Sequence, residues 1–148
     1  MKKWRGFKLN RSGKKLFLQA YILMMLIRLG LLLLPFRRLQ DLILKVKRFE
    51  SIAAGDSQPS LGAIAQSVHR SARYSPGKVM CLAKALTTAV MMSIYGFPYK
   101  IQIGVAKGES NNLEAHAWVE SEGKVVVGYL PDLSRYTAMS STGEGLII

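Results

Sequence analysis

Cysteine is nearly missing from this chain of 148 residues, and Cys81 is the only one. No intramolecular disulfide can form, which fits a reducing compartment and leaves a free thiol. Histidine is almost as scarce, with His69 and His116 alone. One Cys and two His do not make a structural zinc site, so no metal is expected. Neither a P-loop nor a dinucleotide glycine fingerprint occurs, so no cofactor is expected, and internal repeats are absent too. Acidic residues are few: 9 Asp and Glu stand against 21 Lys and Arg, a net charge of +12. Such an excess attracts polyanions, whether nucleic acid, anionic lipid or an acidic peptide. The length allows one modest core, and an apolar share of 49 % excludes global disorder.

The positive charge is concentrated at the start, from Lys2 to Lys15, and again from Arg37 to Arg48. Between these clusters runs Leu16 to Leu34, broken only by Gln19 and Arg28 and closed by Pro35. The run is too long for a secretory signal and no small-residue cleavage site follows it. A membrane span needs about 20 apolar residues, and a central Arg costs at least about 2.5 kcal/mol there. The expectation is a helix that packs on the rest of the protein or docks a partner. Its basic flanks would hold a cytoplasmic protein peripherally at anionic lipid.

The pattern predicts helices over 14–34 and 36–49, with Pro35 between them. Ala54 to Ser60 is Gly, Asp, Ser and Pro punctuation, read as the connection between two units. These are an N-terminal basic, apolar helical subdomain (1–53) and a domain carrying the chemistry (54–148). A helix over about 60–72 and a turn at Ser75-Pro76-Gly77 precede Cys81. From Cys81 to about Tyr95, Leu82, Ala85, Leu86, Ala89 and Val90 recur at helical spacing, and Gly96 supplies the stop. Three strands are expected, over Tyr99–Ala106, Leu113–Glu120 and Val125–Leu130, the last two joined by a turn at Glu122-Gly123. On the second, Leu113, Ala115, Ala117 and Val119 share one face and His116, Trp118 and Glu120 the other. Helices followed by an antiparallel meander define an α+β domain.

A thiol is a nucleophile only as thiolate, so Cys81 needs a base and a field that lowers its pKa. The start of a helix supplies part of that field, and its free N–H groups can bind an oxyanion. His116, mid-strand, is the candidate base, its imidazole projecting from the sheet toward that helix end. A carboxylate beyond it would hold the useful tautomer. Taken singly, each residue has a structural reading: Cys81 as a small buried hydrophobe, His116 as a satisfied core histidine, Trp118 as core or a lid over a cleft. The order nucleophile, base, acid on helix, strand, strand is that of the papain and transglutaminase clan.

From about Ser67 to Met139 the chain resembles the leader-peptidase proteins of lasso-peptide biosynthesis, within the transglutaminase-like superfamily. The matching pieces are Cys81-Leu82 with Lys84-Ala85-Leu86, Ile103 to Ala106, Leu113 to Glu120, Gly123-Lys124-Val125 and Pro131 to Thr137. Leu34 to Arg38 (LPFRR) is similar as well. The resemblance implies a papain/transglutaminase-like cysteine peptidase that removes the leader from a ribosomally made lasso precursor. A small leader-recognition protein of winged-helix type would deliver the precursor, and an ATP-dependent macrolactam cyclase would close the ring. No nucleic acid enters this scheme. The resemblance carries the nucleophile to Cys81 and the base to His116. Many relatives have Asp about twelve or thirteen residues after the His, where this chain has Gly128 and Tyr129. Asp132 is the expected third member, with Glu120 in reserve, and Trp118 and Glu120 are candidates for substrate contact. The alternatives are an acyl transferase that uses an amine acceptor, and a non-catalytic adaptor that docks on membranes.

Overall fold

The structure is a computed structural model that describes residues 11–35, 38, 41, 45, 59–77 and 79–140. Among the described residues, three continuous helices and a four-stranded antiparallel sheet make the α+β architecture. Helix α1 spans Arg11–Leu33, α2 Leu61–Tyr74 and α3 Cys81–Ile94. The strands are β1 Lys100–Lys107, β2 Leu113–Ser121, β3 Lys124–Val127 and β4 Thr137–Ser140. Of the helix expected over 36–49, only Arg38, Asp41 and Lys45 are described, each helical. The expected connection at 54–60 lies outside the described residues except for Pro59 and Ser60.

Helix α3 is the centre of the helical layer. Ala85, Leu86, Ala89 and Val90 are buried as their spacing requires, but so are Ala83, Thr87, Thr88, Met91 and Met92. An α-helix that is apolar nearly all round is an interior helix, and α3 packs on α1, α2 and three strands at once. The two threonines are tolerated because each Oγ1 donates to a carbonyl one turn back, Thr87 to Ala83 and Thr88 to Lys84.

Helix α2 starts at Ser60, whose Oγ accepts from the Ala63 amide at 3.1 Å, a side-chain N-cap. Its buried side, Ile64, Ser67, Val68 and Ser71, follows the i, i+3, i+4, i+7 rule. Ser67, Ser71 and Ser75 each donate back to the carbonyl four residues earlier, so small side chains fill this contact with their hydroxyls satisfied.

Helix α1 packs on both α2 and α3 through Leu16, Ala20, Met24 and Ile27. Arg28, the charge within its apolar run, donates from Nη1 to the Pro76 carbonyl at 2.8 Å, in the turn that leads to Cys81. The helix is thus both seated in the core and tied to the loop before α3.

Strand order is β3-β2-β1-β4. Ile101 faces Val119 and Ile103 faces Ala117, and all four belong to the core shared with the helices or pack against it. The hairpin β2–β3 turns at Glu122 and Gly123 with φ of 50° and 79°. Positive φ at both central residues marks the type I′ geometry that matches strand twist. Strand β3 ends at Val127, short of the expected Leu130. Strand β4 had no forecast: the four residues TAMS lack alternation, and pairing with β1 through Ile103–Val105 creates the strand.

Candidate active site

Cys81 is the first residue of α3, with Met80 as an N-cap that has no side-chain hydrogen bond. The first-turn amides therefore keep no competing side-chain acceptor at the cap, which is the field a thiolate uses. Cys81 is half-buried and packs against the helical core.

His116 sits in the interior strand β2, half-buried. Strand alternation and the pairing Gly104↔His116, Gln102↔Trp118 place it on the sheet face opposite to that of Ala117 and Val119. The face that carries His116 is thus the one turned away from the helical layer. Among the described residues no hydrogen bond joins it to Cys81. The apolar alternation seats Ala117 and Val119 on the helices, so their neighbours His116 and Trp118 lie on the other face of the sheet.

The imidazole is held in place by other groups. Its Nε2 lies 2.7 Å from the carbonyl oxygen of Gly128. The ring stacks near Trp118, with centroids 6.0 Å apart and planes at 17°, and meets Tyr136 at 5.6 Å. Trp118 is buried, its ring lies across Gly104, and its indole N–H donates to Glu120 Oε1 at 2.7 Å. Trp118 and Glu120 therefore form a pair beside His116, and the indole is packed rather than open to a ligand.

Asp132 stands elsewhere. Its carboxylate accepts from Arg135 Nε, while Arg135 Nη2 donates to Glu114 at 2.6 Å. Glu114, and next Asp132, raise the guanidinium pKa still further, so Arg135 stays cationic. No hydrogen bond runs from Asp132 to His116 among the described residues, and Glu120 contacts Trp118 instead. Sequence reasoning missed Arg135 and Tyr136. Arg135 lies over the Tyr136 ring at 4.8 Å, so the row His116, Tyr136, Arg135 continues to a surface depression. That depression, about 580 Å³, is lined by Lys107, Glu109, Asn112, Glu114, Asp132 and Arg135. The i,i+3 spacing of Asp132 and Arg135 was the only signal available for that pair. No group of three or more His, Cys, Asp or Glu that could hold a metal ion occurs among the described residues.

A lone thiol heads the central helix of this α+β domain, and a tethered imidazole stands in the neighbouring sheet. Residues 23–141 match the family model of the Transglutaminase-like superfamily, and the chain belongs to that superfamily. Its members include cysteine proteases and acyltransferases. No curated protein and no solved structure matches the chain.

Proposed function

We propose that the protein is a cysteine peptidase that removes the leader from a ribosomally made lasso-peptide precursor. The observation that supports this reading is the family match, which encloses both the single thiol at the head of α3 and His116 in β2. Cys81 as thiolate attacks the carbonyl of the last leader residue, and the α3 amides receive the oxyanion. His116 protonates the leaving amine, giving a thioester and free core peptide. Water then adds to the thioester, His116 takes its proton, and the leader leaves as a carboxylic acid. This reading requires a rearrangement in the substrate complex that brings the imidazole, set by strand alternation on the face away from the helical layer, within reach of the thiol. The depression that continues the row from His116 past Arg135 is where peptide beside the scissile bond would lie. A winged-helix leader-binding protein and a macrolactam cyclase are the partners this reading requires.

The test is product mass. Purified protein incubated with a candidate precursor and its leader-binding protein should release leader ending in a free carboxylate. Release of leader joined to an added primary amine, with no hydrolysed leader, would make the protein an acyltransferase instead.

We further propose that α1 rests on an anionic membrane surface without crossing it. Leu18, Ile22, Leu26, Leu29 and Leu33 recur on one side of α1 and are each exposed by half or more. That side is opposite the face seated on α2 and α3. Lys14 and Lys15 are exposed at its start. The helix is long and apolar enough to cross a bilayer, but its buried side and the Arg28–Pro76 bond tie it to the protein. Each Lys or Arg near an anionic surface adds about 1 kcal/mol, a contribution that salt screens. Protein should float with vesicles containing phosphatidylglycerol and be released by high salt. A variant carrying both Ile22→Asn and Leu26→Asn should bind those vesicles less. Retention through salt and alkaline washes, with release only by detergent, would mean an inserted helix.

A further inference from the structure

We infer that the backbone carbonyl of Gly128 is the group that orients His116, in the position where a carboxylate serves in related thiol enzymes. The inference rests on the peptidase reading for its catalytic meaning, but its geometry stands alone.

A carbonyl oxygen accepts hydrogen bonds and donates none. With Gly128 O at 2.7 Å, Nε2 must carry the proton. In the neutral ring Nδ1 then carries the lone pair and is the ring atom able to accept a proton. The nearby carboxylates are engaged by other donors: Asp132 and Glu114 by Arg135, Glu120 by the Trp118 indole. The approach of the carbonyl depends on Gly128 itself. Its φ is +94°, and a Cβ there would lie 2.8 Å from both the Ala117 carbonyl oxygen and Trp118 Cβ. Glycine lets the chain cross β2 closely enough to present its oxygen to the imidazole. Gly128 is therefore a positioning residue that acts through His116.

The tautomer can be read directly. In ¹⁵N-labelled protein at alkaline pH, long-range ¹H–¹⁵N correlations distinguish a protonated ring nitrogen from an unprotonated one. Only His69 and His116 contribute, and a His69→Gln variant identifies His116. The expected result is His116 with Nε2 protonated and Nδ1 bare. Gly128→Ala should mix or reverse this pattern and lower turnover of the precursor peptide on the order of 10²-fold, the scale of a misplaced catalytic group. One alkylating label on Cys81 should still be incorporated. Asp132→Asn and Glu120→Gln should keep the wild-type nitrogen pattern. An Nδ1-protonated His116 in the wild-type protein overturns the inference even if Gly128→Ala does not fold. So does reversal of the pattern by Asp132→Asn, or an unaltered pattern and turnover in Gly128→Ala. The wild-type spectrum needs no substrate, so an Nε2-protonated ring in a protein without peptidase activity would sink the peptidase reading and leave the orientation standing.

Discussion

Cys81→Ala is expected to abolish precursor cleavage while leaving the fold intact. Cys81 is the only thiol, so wild-type protein should take up a single alkylating label and lose its activity with it. Cys81→Ser should fall by orders of magnitude, because an alcohol is a far weaker nucleophile than a thiolate at neutral pH. The half-buried site at the head of α3 should accept both substitutions without collapse. His116→Gln adds a second arm. If the imidazole shares the thiol's proton during the reaction, this variant loses cleavage and its Cys81 alkylates more slowly than wild type. Unaltered precursor cleavage in Cys81→Ala would exclude Cys81 as the nucleophile and end the thiol-peptidase reading.

Leu86→Ala is expected to cost about 2–5 kcal/mol of stability, since it deletes a fully buried side chain from the central helix. Domains of this size are stable by only about 5–15 kcal/mol, so the variant should show a marked drop in urea midpoint. The slope of the transition should be unchanged, because the unfolded surface is the same. The melting temperature should fall by about 2–4 °C for each kcal/mol lost. Leu26→Ala is the matched control: the same deletion on the exposed side of α1 should stay within about 0.5 kcal/mol. Equal losses at the two positions would mean that the exposed side of α1 is covered in solution, most simply by a second copy or a partner.

Local patterns in the sequence determined much of this protein. The alternation of Leu113 to Glu120 specifies a strand with His116 and Trp118 on one side, because side chains on a strand reverse direction at every residue. The spacing through α3, the stop at Gly96 and the turn at Glu122-Gly123 are local too, and each is met in the structure. A single thiol at the start of an apolar helix could be found by counting. The longer-range facts were decided by tertiary structure. Whether Leu16 to Leu34 was core or surface had no answer in composition, because the helix is both: one side is seated on α2 and α3 and the other is apolar and exposed. Strand β4 exists because β1 offers it an edge, not because of its own four residues. The group that holds His116 had no side-chain signature at all. Every residue offers the same carbonyl oxygen, so only the path of the chain after β3 could choose Gly128. Likewise Asp132 could be proposed from its distance along the chain, but Arg135 decides where its carboxylate points, because a neighbouring guanidinium is a strong charge-assisted partner for it.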